Sequence, residues 1–147
     1  MQTTYPDAGS SPGLALWRVT NAWQRVIRTA LEPFALTHIQ FVLLASLTWL
    51  DGGEPLTQRD LASHAGTDPM MTSQVLRVLE AKGLITRERH PLDGRAWLLA
   101  ATTQGMDLAS RANVAVEAAD RAYFATLGPQ VTEFLGHLQA LDRNHRR

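Results

Sequence analysis

Leu16, Val19, Trp23, Val26, Ile27 and Ala30 recur at helical spacing and predict a first helix over about Leu14–Leu31, ended by Pro33. Thr37 with Gln40 three residues later forms a capping-box pattern at the start of a second helix. From Phe41 to Leu50 that helix is apolar nearly all round, which predicts a central position, and Asp51-Gly52-Gly53 stops it. A short third helix opens at Thr57, with Asp60 three residues on, and breaks at Gly66. Asp68-Pro69 starts a fourth, with aspartate as N-cap and proline in the first turn, running to Lys82 and closing on Gly83.

The pattern then changes. Leu84–His90 and Ala96–Thr102 are short extended runs joined by Pro91-Leu92-Asp93-Gly94, a chain-reversal signal, and predict a hairpin. A long alanine-rich helix is expected from Thr103 to about Leu127, then Gly128-Pro129 and a last helix ending near Leu141. The fold class expected is mainly α with a small β wing: a winged helix-turn-helix over residues 32–102, a flexible tail over 1–11, and a helical dimerisation lobe from 12–31 and 103–147.

In the fourth helix, Val75 taken as the centre of the buried face sends Met71, Val78 and Leu79 inward and Met70, Ser73, Gln74 and Arg77 outward. That outer face suits a DNA major groove. Gln74 can bond an adenine edge, Arg77 a guanine or a phosphate, and Met70 a thymine methyl; Ser73 lets the backbone approach. Thr72, at the edge of the two faces, is a candidate phosphate contact, and Thr57 at the head of the third helix is a further candidate DNA contact. The competing reading is a merely solvated polar face, but the preceding turn and the following hairpin favour recognition. In the wing, Arg87, Arg89, His90 and Arg95 cluster against Glu88 and Asp93. Arg95 at the tip can enter a minor groove, with Asp93 expected to hold its guanidinium.

Composition changes this picture little. The 147 residues carry no net charge, which counts against DNA binding unless the positive surface is local, as the wing cluster implies. Cysteine is absent, so disulfides and thiolate metal sites are excluded. The N-terminus shows no basic segment followed by an apolar one, and the longest apolar stretch, Phe41 to Leu50, is too short to span a bilayer, so a cytoplasmic chain without membrane association is expected. No phosphate loop, nucleophile elbow or H-E-x-x-H pattern is present, and no enzymatic activity is expected. His38, His64, His90, His137 and His145 do not pair at ligand spacing, and neither metal nor cofactor is predicted.

The motifs resemble those of the MarR family of transcriptional regulators. Leu36-Thr37 with Gln40-Phe41 resembles the opening of the family's second helix, and Leu56-Thr57 with Leu61-Ala62 its third. Leu79-Glu80-Ala81-Lys82-Gly83-Leu84-Ile85 followed by Arg87, then Asp93-Gly94-Arg95, Thr102 and Gly105, resembles its recognition-helix and wing signature. Ala101 departs from the family's usual leucine, and Ser73-Gln74 from its frequent threonine and arginine. The resemblance implies a two-fold homodimer on a palindromic operator, usually a repressor, and a small aromatic or phenolic effector between the lobes. Trp17, His38 and Phe41 are the candidate pocket residues. Leu108, Ala112, Ala115, Ala119 and Ala122 form a row of small residues suited to a dimer interface. The rival to DNA binding is a winged-helix module that binds protein, for which the outer face of the fourth helix is too polar.

Overall fold

The structure, a computed structural model, describes residues 1–50 and 56–145. Ser11 caps the first helix, α1 (Pro12–Leu31), by accepting from the Leu14 amide at 3.3 Å. A 3-10 turn, Glu32–Phe34, leads into α2 (His38–Trp49). There the capping box is closed both ways: Gln40 N–H donates to Thr37 Oγ1 at 3.3 Å, and Thr37 N–H to Gln40 Oε1 at 3.2 Å. The expected stop at Asp51-Gly52-Gly53 lies outside the described residues. Phe41, Leu43, Leu44 and Leu47 of α2 are buried, and α1 and the three helices that follow in the chain pack around this helix. The apolar core is centred there.

A two-residue strand, β1 (Leu56–Thr57), precedes α3 (Gln58–Ala65), whose N-cap is Thr57. Gly66, at φ 66°, takes the left-handed conformation that ends α3 and lets the chain turn at once into α4 (Pro69–Ala81). Asp68 caps α4 through the Met71 amide at 2.8 Å. The hairpin consists of β2 (Ile85–Arg89) and β3 (Trp97–Ala101), paired antiparallel with Arg89 opposite Trp97 and Ile85 opposite Ala101. β1 adds to the other edge of β3, giving the order β1-β3-β2; this third strand is too short to stand out in the sequence.

The last strand passes directly into α5 (Thr103–Phe124). Thr102 Oγ1 donates to the Gly83 carbonyl at 2.8 Å and accepts from the Gly105 amide at 3.0 Å, so one hydroxyl caps α5 and ties it to the end of α4. α5 ends before Leu127, in a 3-10 segment Ala125–Gln130 bent at Gly128, and α6 (Val131–His145) runs past Leu141. Part of the α5 row serves the protomer's own core, while Ala115 is half-buried and Ala122 exposed. Ala109, Ala112 and Val116 are buried with Gly105, and Leu108 and Ala119 pack on the same core, because α5 lies against α1 and α2 of its own chain. Small residues here permit close packing within the protomer.

Candidate nucleic-acid interface

The buried face of α4 is Thr72, Leu76 and Leu79, with Val75 half-buried beside it. The face is therefore turned by about one residue from the Val75-centred reading: Met71 and Val78 are exposed and Leu76 is buried. Met70, 73% exposed, Gln74 and Arg77 point outward, and Ser73 is half-buried next to them. Thr72 is corrected outright. It is fully buried, its hydroxyl donates to the Asp68 carbonyl at 2.7 Å, and the Thr67 hydroxyl lies 2.6 Å away. A threonine can be buried in a helix because the carbonyl four residues back satisfies its hydroxyl, and no group remains for a phosphate.

Arg95 is exposed at the wing tip. Asp93 Oδ1 accepts from the backbone N–H of Arg95 at 3.0 Å, so the carboxylate shapes the turn and does not clamp the guanidinium as the sequence suggested. His90 also serves the turn: its Nδ1 accepts from the Leu92 and Asp93 amides at 3.1 and 3.2 Å. Arg89 lies over the Trp97 ring at 4.1 Å from the centroid and donates to the Gly94 carbonyl at 2.7 Å, while staying exposed. Arg87 is corrected as well. Its side chain is 6% exposed and faces Gln58, Glu80 and Trp97, which withdraws it from any phosphate.

A cleft of about 650 Å³ separates α3 from the wing. It brings together Thr57, Asp93 and Arg95, and adds Gln58, Arg59 and Pro69, which the sequence reading passed over. Arg59 is exposed on the polar face of a strongly amphipathic helix, and that position was the available signal. The Thr57 hydroxyl is engaged with Asp60, whose amide donates to it at 3.1 Å. Arg59, Arg77 and Arg95 thus give a neutral chain exposed cations around the recognition elements.

A second cleft of about 460 Å³ opens where α1 and α2 meet α3, lined by Trp23, Arg28, His38 and Val42 among others. His38 meets the Trp23 ring edge-on at 5.1 Å, and Trp23 Nε1 donates to Asp120 Oδ1 on α5 at 2.7 Å. Burial pushes the His38 imidazole below its ordinary pKa; Asp120 works against that and Arg28 with it. The other two expected pocket residues are elsewhere. Phe41 is in the core, and Trp17, 68% exposed, borders a separate groove with Arg18 and Tyr123. Trp23 takes the place given to Trp17; on sequence it read as one more member of the α1 apolar stripe. Among the described residues no three histidine or carboxylate side chains lie together in a way that could hold a metal ion. No single helix among them is long and apolar enough to cross a membrane.

The MarR family sequence profile matches residues 36–97. The chain is 44% identical to YdcH of Bacillus subtilis, an uncharacterized HTH-type transcriptional regulator, over 93% of both chains. It is 36% identical to the HTH-type transcriptional repressor Rv2887 of Mycobacterium tuberculosis, over 88% of this chain and 91% of that one. The structure of Rv2887 in complex with DNA aligns with a TM-score of 0.70 at 34% identity, covering 92% of this chain and 98% of that one. Its complex with salicylic acid aligns at 0.69 and 36% identity with the same coverage. A MarR family regulator from Rhodococcus sp. RHA1 aligns at 0.83 with 28% identity, over 93% of this chain and 96% of that one.

Proposed function

The chain belongs to the MarR family, and on that premise we propose that it is a ligand-responsive transcriptional repressor that grips a palindromic operator as a homodimer. The observation that carries this reading is the outward face of α4, where Met70, Gln74 and Arg77 stand exposed on the helix whose first residue, Pro69, lines the cleft with Arg95. α4 enters the major groove, with Gln74 and Arg77 on base edges or phosphate and Met70 against a thymine methyl. Arg95 follows into the adjacent minor groove, and Arg59 and Thr57 lie toward the backbone between them.

Dimerisation accounts for apolar surface that the protomer leaves open. Leu14, Leu16, Trp17, Val19 and Val26 of α1 are exposed, as are Val131, Leu135, Leu138 and Leu141 of α6. No described residue of α6 is buried, and its main packing is against the 3-10 segment before it. A helix with an apolar stripe and no core beneath it needs a partner, and a second copy supplies one. The two recognition helices then stand roughly 34–36 Å apart to enter successive turns of one DNA face.

The Trp23–His38 cleft is the effector site in this reading. It offers an aromatic wall and the Arg28 cation to a small aromatic acid or phenol, in keeping with the salicylic acid complex of Rv2887. An effector that prefers a dimer with wrongly spaced recognition helices lowers DNA affinity by that preference alone. The protein acts in the cytoplasm, and we assign it no catalytic role. Gln74→Ala tests the reading: it is expected to change which operator bases matter, whereas equal weakening on every sequence would reduce Gln74 to a phosphate contact.

A further inference from the structure

Arg87 joins three elements through one side chain. Its Nη2 donates to Gln58 Oε1 in the first turn of α3 at 3.1 Å. Its Nε lies 3.7 Å from Glu80 Oε2 in the last turn of α4 and makes no hydrogen bond. Its guanidinium carbon stands 4.6 Å from the centroid of Trp97 on β3. Trp97 also carries Arg89, which donates to the Gly94 carbonyl, one residue before Arg95. Contacts therefore run without a gap from the helix pair to the wing tip.

The wing needs such a brace. Among the described residues β1 pairs with β3 at Leu98 and Leu99, and none of them adds a third strand beside the outer pair Arg89–Trp97. A two-stranded ribbon held only at its base swings easily. We propose that Arg87 is a positioning residue that fixes the wing against the recognition helix and so determines where Arg95 arrives on DNA. The assignment rests on the DNA-binding reading above, and its chemistry is specific to arginine. A planar guanidinium can stack on Trp97 while its edge serves Gln58 and faces Glu80; an ammonium group cannot do all three.

A double-mutant cycle separates this role from simple structural support. The probe is a duplex selected by the wild-type chain from a random library, with affinity measured for wild type, Arg87→Lys, Arg95→Ala and the double variant. Arg87→Lys is expected to weaken binding by about ten-fold in the wild-type chain and by less than about two-fold when Arg95 is already alanine, because Arg87 acts through Arg95. A loss of general stability would weaken both backgrounds equally, and additive effects overturn the assignment. Arg95→Ala binding as tightly as wild type would overturn both this assignment and the wing reading, which keeps the two failures distinct. Should Arg87→Lys lose its fold, Glu80→Gln in the same cycle carries the test: coupling to Arg95 is expected, and additivity overturns the proposal.

Discussion

Gly105 packs its Cα directly against the backbone of Leu84: a Cβ at this position would overlap the Leu84 carbonyl oxygen and stand 2.9 Å from its carbonyl carbon. The same carbonyl oxygen accepts the Thr102 amide at 3.0 Å, so it cannot withdraw without breaking the join between wing and α5. The Thr102–Gly105 spacing is thus a packing requirement where the long helix leaves the sheet. Gly105→Ala is expected to destabilise the fold by about 2–3 kcal/mol, a typical cost of overpacking against fixed backbone. Urea unfolding monitored by tryptophan fluorescence measures it, and an unchanged midpoint would show that α5 can shift to make room.

Thr72 provides a contrast between a buried hydroxyl and a DNA contact. Thr72→Val keeps the shape but removes the buried hydroxyl bonded to the Asp68 carbonyl and the Thr67 hydroxyl; the carbonyl keeps the Thr72 amide at 2.9 Å, while the Thr67 hydroxyl loses this partner. A stability loss of about 1–2 kcal/mol is expected. The dependence of DNA affinity on salt should keep its slope, because no phosphate contact disappears. A slope lower by about one unit per site would restore Thr72 to the interface.

What the sequence made legible was local. The caps at Thr37, Thr57 and Asp68 and the Pro91–Gly94 reversal involve residues a few positions apart, and all four occur where the pattern places them. The errors arise where distant partners decide. Met71 and Val78 are apolar yet exposed, and they drew the buried face of α4 away from Leu76. Arg87 looked like surface charge because its partners, Gln58 and Trp97, lie elsewhere in the chain. The alanines of α5 announced close helix packing correctly, but spacing alone does not say whether the other helix belongs to the same chain. β1 is two residues long and exists only through its pairing with β3.

His38 gives the fold a pH dependence of defined sign. Its pKa is lowered on folding from 6.5, chiefly by burial, so below that value the unfolded chain takes up the proton first. The His38 contribution to stability is therefore complete above the ordinary pKa and declines as pH falls through it toward the folded value. His38→Gln is expected to flatten the stability profile between about pH 7.5 and pH 5.5. Denaturant midpoints across that range check it, and parallel profiles for the two proteins would contradict it.

The exposed apolar face of α6 makes a separate prediction about assembly. Leu135, half exposed in the protomer, should become covered in a dimer. Leu135→Glu is expected to leave each protomer folded, halve the sedimenting mass and weaken DNA binding by at least about a hundred-fold, since both half-sites must be engaged together. A dimer that survives this change would place the interface elsewhere.

The most direct measurement is the sequence of duplexes that the purified chain selects from a random library. If two copies present α4 and Arg95 to adjacent turns of DNA, the selected sites are inverted repeats with half-sites about 10–10.5 base pairs apart, centre to centre, or a multiple of that spacing. Recovery of a lone half-site, or of no shared motif at all, would contradict the account.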